Sequence, residues 1–176
     1  MLLKRYSKQL LVAAGLLAVA AGCIISGQFT ILINIDNQMY FIDDVLNPGE
    51  VDLTDNGTWE KHKDEIQNIV DVKFEMSIQN ETSSEVTGQV YVSTTEYTTV
   101  GDVQDNATLV LSGIVIGAND TRDIKFSESS QYITNLQTLL DLVEGGKFWV
   151  YGIAKDAPYT IRILGGTRLL VTFSAG

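Results

Sequence analysis

The sequence has one cysteine, one histidine and two prolines in 176 residues. A single cysteine excludes an internal disulfide framework and every metal motif built from several cysteines. A single histidine excludes a multi-histidine zinc site and forces any imidazole-based triad or proton relay through His62. Neither Gly-x-Ser-x-Gly nor a phosphate-binding glycine-rich loop occurs. Positive charge is scarce as well: 12 Lys and Arg face 22 Asp and Glu, a net charge of −10 that repels nucleic-acid phosphate. What is present is globular in composition, 45% hydrophobic and 19% charged, in a length that suits one domain with a real core.

The first 22 residues differ from the rest. Lys4, Arg5 and Lys8 make a basic start, and no acidic residue occurs before Asp36. Leu10 to Ala21 is uncharged and, apart from Gly15, apolar. A positive start, a short apolar run and a small-residue exit are the parts of a secretory signal. As a helix the run is roughly 18 Å long, short of the ~30 Å hydrocarbon core, so a spanning helix needs it extended through Cys23, Ile24 and Ile25.

Ala20-Ala21-Gly22-Cys23 resembles the lipobox of bacterial lipoproteins, with Ala20 where that family usually has leucine. The resemblance implies a signal peptide over residues 1–22, cleavage before Cys23 and lipid attachment at Cys23; residues 23–28 would then be a short tether, and the patterning of residues 29–176 reads as a single β-rich domain. The resemblance also implies a bacterial envelope location, in the outer membrane if the host has two membranes, because no aspartate follows the cysteine as an inner-membrane retention signal. The expected partners are then the membrane, through the N-terminal lipid, and a protein not identified by the sequence; nucleic acid is not among them.

Beyond the leader, period-2 alternation dominates. Phe29, Ile31, Ile33 and Ile35 share one face, with Thr30, Leu32 and Asn34 opposite. Val70, Val72, Phe74, Met76 and Ile78 alternate with Asp71, Lys73, Glu75, Ser77 and Gln79, which places Phe74 and Met76 in the core. Val86 to Val92 repeats the pattern after a turn, and Arg122 to Phe126 reads as a shorter strand. Thr108 to Ile116 is more apolar than the other strands and is expected at the centre of a sheet; Phe148 to Ala154 is apolar on both faces. Near the end, Gly165-Gly166 separates two strands and suits a tight hairpin turn, with a bulge in one long strand as the alternative. Leu169, Val171, Phe173 and Ala175 form a final core strand.

Two helices interrupt the strands. Trp59, His62, Ile66 and Ile69 mark the first. Tyr132, Ile133, Leu136, Leu139, Leu140 and Val143 mark the second, which Ser127, Ser129 and Ser130 are placed to cap and Gly145-Gly146 to stop. The predicted fold is therefore mainly β: an antiparallel β-sandwich, Ig-like in general architecture, with two short helices at crossovers. The alternative is an α+β fold with helices on one face of an antiparallel sheet.

Chemistry is sparse. His62, between Trp59 and Ile66 on an apolar face, reads as a packed structural histidine before a catalytic one. Residues 36–75 hold eleven acidic and three basic side chains, and the loops Asp43-Asp44 and Asp52 to Gly57 are rich in oxygen. In an EF-hand register with Gly57 at position 6, position 12 falls on Lys63, the wrong charge for calcium. Turn and cap chemistry explains the same residues without a metal. Residues 145–176 carry Lys147, Lys155, Arg162 and Arg168 against Asp156 alone, which suggests a two-signed surface. No catalytic, cofactor or metal residue is assigned. The expected function is a non-enzymatic, lipid-anchored envelope protein with a structural or binding role. A subunit of a surface fibre or envelope assembly is the alternative, and a small hydrolase is the weakest reading.

Overall fold

A computed structural model describes residues 28–35, 39–42, 48–64, 69–155 and 158–174. Cys23, the rest of the leader and Asp43-Asp44 lie outside the described residues. The fold is mainly β, two antiparallel sheets with short helices between them, and the larger sheet curls into a half-barrel. The large sheet holds β1 (Gln28–Ile35), β2 (Met39–Ile42), β4 (Ile69–Asn80), β7 (Thr121–Ile124), β9 (Thr160–Ile163) and β10 (Thr167–Ser174). The small sheet runs β3 (Gly49–Asp52), β8 (Lys147–Ala154), β5 (Val86–Ser93), β6 (Thr108–Ile116).

The large sheet is simpler than six strands suggest. Ile35 pairs Thr167 and Met39 pairs Ile163, so β1 and β2 keep one register against β10 and β9. On the other side, Ile163 pairs Ile78 and Arg168 pairs Glu75, so β9 and β10 lie along the same side of β4. Gly165-Gly166 is thus a bulge in one long strand and not a hairpin turn. Gly166 takes φ +89°, a backbone that glycine adopts without strain. Long strands pack their inward residues as the alternation predicts: Ile33, Val72, Phe74, Met76, Ile78, Leu169, Val171 and Phe173 are buried. Val70 is the exception at 41% exposure. It falls where the β4–β10 register shifts, between Ile69 and Asp71.

The small sheet supplies the other half of the core through Val51, Val92, Val110, Ile114, Phe148 and Val150. Phe41 of β2 crosses to lie on Gly152 of β8, where a Cβ would stand 2.4 Å from its ring, so only glycine fits. β8 is indeed buried on both faces. Its outward Tyr151 and Ile153 pack beneath helix α2 (Val100–Asn106) against Val103. The Tyr151 hydroxyl accepts from Tyr97 N–H at 2.7 Å and donates to the Thr95 carbonyl at 3.2 Å, which pins the preceding loop; burial pushes its pKa up.

Three details differ from expectation. β6 ends its sheet, although it is apolar, because Ile133 and Thr134 cover its first half: Thr134 N–H donates to Val110 O and Thr134 Oγ1 to Leu109 O, both at 2.9 Å. The first helix, α1 (Gly57–His62), is a short turn capped by Asn56, and the chain is already extended at Ile69. The second begins later than the serines imply. After α3 (Phe126–Ser129) and a 3-10 turn at Ser130–Tyr132, α4 (Leu136–Gly145) is capped by Asn135 and stopped by Gly146 at φ +77°. Leu136 at its start is 37% exposed, while Leu139, Leu140 and Val143 are buried.

Candidate functional site

The two fully buried polar residues among those described, Asn80 and Ser129, bond to the backbone. Asn80 is fully buried; its Nδ2 donates to Ser84 O at 2.7 Å and Gly117 O at 2.9 Å, and its Oδ1 accepts from Thr82 N–H at 2.9 Å. Ser129 Oγ accepts from Phe74 N–H at 3.3 Å on the side of β4 away from β10, beyond the residues that pair with β7, so α3 closes that part of the sheet edge. Trp59 Nε1 donates to Val143 O at 2.9 Å and ties α1 to the end of α4. His62, the last residue of α1, is half-buried and engaged by a neighbouring group. Among the described residues no three of His, Cys, Asp and Glu converge on a point that would hold a metal.

The acidic loop after β3 is likewise committed. Asp52 Oδ1 accepts from Thr54 N–H at 3.0 Å and from the Thr54 hydroxyl, and Lys147 Nζ lies 3.4 Å from Oδ2. The hydroxyl bond, first among these, holds the Asp52 carboxyl below its ordinary pKa. Asn56 Oδ1 accepts from Thr58 and Trp59 N–H, and its Nδ2 donates to Asn34 O at 3.0 Å. Asp52-x-Thr54 and Asn80-x-Thr82 form the same side-chain-to-backbone turn, which is the capping chemistry the composition suggested.

The charge asymmetry along the chain disappears in space. Lys147 pairs with Glu50 and Asp52, Arg162 with Glu81, and Arg168 with Glu75, so three of the four basic C-terminal residues neutralise acidic ones from the first half. Glu75 is the tightest of these groups, with a side chain only 17% exposed. Lys125 Nζ donates to it at 3.0 Å and Arg168 donates to its other oxygen, while the Arg168 guanidinium stands 5.6 Å from the Phe126 ring centre. Alternation marks Glu75 only as outward-facing; partners 50 and 93 residues away leave no local signal.

What remains unspent is main chain. A strand at the end of a sheet offers a row of N–H and C=O groups to another chain unless charge, proline, brevity or a cover blunts it. β3 is short and charged, and half of β6 is covered by Ile133 and Thr134. β1 differs: Gln28 to Ile35 contains no charge and no proline, and among the described residues it pairs with β10 alone. Its outward side chains Thr30, Leu32 and Asn34 are exposed, Leu32 at 37%. Asn56 Nδ2 donates to Asn34 O near the end of the strand, where helix α1 lies close to it. The open stretch of β6, Ser112 to Ile116, is also uncharged and presents Val115 at 49% exposure.

No family model matches this chain, and no curated protein does. Among solved structures it is similar to that of a mud crab tombus-like virus, at 10% identity and TM-score 0.38, over 85% of this chain and 81% of the other. A Tobacco streak virus coat protein dimer aligns at 11% identity and TM-score 0.32, over 85% and 86% of the two chains. Dimeric latent PorU from Porphyromonas gingivalis aligns at 5% identity and TM-score 0.34, over 84% of this chain and 13% of the other.

These matches correct the expectations that rested on the leader. A lipid-anchored protein with a structural or binding role, the membrane as partner through Cys23, and a bacterial envelope location are set aside. Viral structures, coat proteins among them, stand where envelope lipoproteins were expected. The physical reason is that a leader is an address and carries no information about the domain behind it. The exclusion of nucleic acid goes with them, since it rested on total charge, which does not describe any one face.

Proposed function

We propose that the chain is a structural subunit of a protein assembly, not a catalyst, and that copies of it join along the open edge of β1. The observation that carries this reading is the eight-residue edge Gln28–Ile35, uncharged and, among the described residues, without a second strand beside it, Asn56 taking only the Asn34 carbonyl. An antiparallel strand is self-complementary about a two-fold axis, so a second copy fits it without any other partner. The uncharged strip also lets two acidic chains approach where their net charge of −10 repels least. The open part of β6 lies on the other sheet and offers a second contact, which a subunit needs if the assembly is to grow beyond a pair.

Light scattering on the eluting protein tests this. The expected result is a mass above the 19.3 kDa of one chain that rises with concentration. Thr30→Lys with Leu32→Lys, both exposed on the edge, should return a folded monomer whose melting temperature no longer depends on concentration. A monomer at every concentration, or variants that associate like the parent, overturns the reading.

A further inference from the structure

Two hydrogen bonds fix which main-chain groups of β1 point out of the sheet. Asn34 O accepts from Asn56 Nδ2, a side chain outside the sheet, so the main-chain groups of Asn34 point away from β10. Antiparallel neighbours alternate between pairs that exchange both bonds and pairs that exchange neither. Leu32, Thr30 and Gln28 therefore point outward with Asn34, while Ile33 and Ile31 bond β10. Phe74 gives the same answer from the other side of β10. Its N–H goes to Ser129 Oγ and points away from β10, so Glu75 and Lys73 are the residues that bond Arg168 and Leu170. Leu169 and Val171 are left for Ile33 and Ile31, which stand opposite them on β1.

The outer side of β1 thus offers a donor and an acceptor at each of Gln28, Thr30 and Leu32, and then Asn34, whose acceptor is taken. A second copy related by a two-fold axis has to pair outward residues with outward residues. Such pairs also continue the sheet with the exposed Thr30 and Leu32 on one face and the buried Ile33 on the other. Asn56 narrows the choice. Its Nδ2, 3.0 Å from Asn34 O, stands where an opposing residue would lie, and helix α1 is close by. An axis at Ile31 or Leu32 sets Gln28 or Thr30 of the second copy opposite Asn34, against that side chain. An axis at Phe29 or Gln28 leaves Leu32 without a partner. An axis at Thr30 sets Gln28 opposite Leu32 and Thr30 opposite itself, and about six main-chain bonds then use every group these residues offer. Because β1 begins at Gln28, that register places no residue of the strand against Asn56. Thr30 Oγ1 lies 3.4 Å from Thr172 Oγ1, so the self-pair extends a row of threonines across the axis, a favourable cross-strand combination.

Resting on the reading that copies join along β1, we propose that they do so in one register, with Thr30 on the two-fold axis, and that Asn56 is the residue that fixes it.

Disulfide trapping alongside light scattering tests this, in the full chain with Cys23→Ser so that each variant has one thiol. Thr30→Cys meets its own copy at a Cα separation of about 5.5 Å, within disulfide reach. Leu32→Cys is four positions from its copy, roughly 14 Å, and out of reach. Under mild oxidation Thr30→Cys should cross-link at least ~10-fold faster than Leu32→Cys, whereas Leu32→Cys mixed with Gln28→Cys should cross-link readily. Asn56→Ser keeps a helix cap and withdraws the amide from Asn34, so it should let Leu32→Cys cross-link with itself. If Asn56→Ser does not fold, Asn56→Gly, also accepted at a cap, takes its place. A chain that scatters as a monomer at every concentration overturns the reading and the register together. Association in which Leu32→Cys cross-links as fast as Thr30→Cys, or in which the mixed pair does not cross-link, overturns the register and leaves the reading standing. A Leu32→Cys rate that the Asn56 variant does not raise overturns the role of Asn56.

Discussion

β3 and β1 both end a sheet, and they are dressed in opposite ways. β3 is four residues long and carries Glu50 and Asp52, with Lys147 paired to both from the adjacent strand. β1 is twice as long and has no charge at all. A second chain laid against β3 would have to desolvate a charge network, whereas against β1 it would meet hydroxyl, amide and aliphatic side chains. The chain therefore blunts β3 with charge and leaves β1 without any. That difference separates an edge that is to stay alone from one that is to be covered.

The largest effect would abolish the comparison. Phe74 is 3% exposed in the middle of β4, the strand that supports β10 and through it β1. Phe74→Ala should cost about 3–5 kcal/mol, read from the chemical denaturation midpoint, and β1 should be lost with the rest in one transition. If the two sheets instead unfold in separate steps, their edges belong to independent units and cannot be compared as parts of one.

A smaller effect would reverse it. Glu50→Thr with Lys147→Thr removes the charge pair beside β3 and replaces it with residues that favour strands. Folding stability should change by no more than about 1 kcal/mol, as for exposed pairs generally. Association should nevertheless increase, seen as a higher mass in light scattering. A strictly unchanged mass would mean that the shortness of β3 protects it and the charges do not.

The smallest effect concerns acid. Asp52 is held below its ordinary pKa first by the Thr54 hydroxyl, and Glu75 first by its hydrogen bond from Lys125. A carboxyl whose folded pKa is depressed stabilises the fold above its unfolded pKa, and that contribution is lost as pH falls through the folded one. The melting temperature should thus hold from neutral pH down to the ordinary carboxylate range and decline below it. Asp52→Asn and Glu75→Gln should each flatten the decline. Variants that decline as steeply as the parent would assign the acid loss to other groups.

Much of the sandwich is legible in the sequence because its strands obey local rules. Phe74, Met76, Val171 and Phe173 are inward where the alternation puts them, and β8 is apolar on both faces because α2 covers its outer one. Gly146 stops α4 as a left-handed glycine should. What is not legible depends on distant neighbours. The place of β6 at the end of its sheet depends on Ile133 and Thr134 lying across it. The grip on Glu75 comes from residues brought in by β10 and by the turn before α3. Helix α2 leaves almost no periodic signal, since Val103 alone on its inner side is buried. The open edge was readable as an uncharged run, but only sheet order shows that the run faces outward on one side. The leader was the sharpest local pattern, and it governed the functional expectation without bearing on the domain.

The placement of β10 has a consequence for how the molecule comes into being. The last described strand sits between β1 and β4, so it joins the beginning of the domain to its first third. Until residues 167–174 leave the ribosome, β1 has no neighbour and the inward row of β4 has lost one side. Contacts this far apart in sequence make for slow folding and for intermediates with unpaired strands. An emerging chain therefore displays β1 with both of its edges bare, and in a crowded polysome another chain's β10 can reach it first. Exchange of that strand between copies would be the characteristic error of its synthesis.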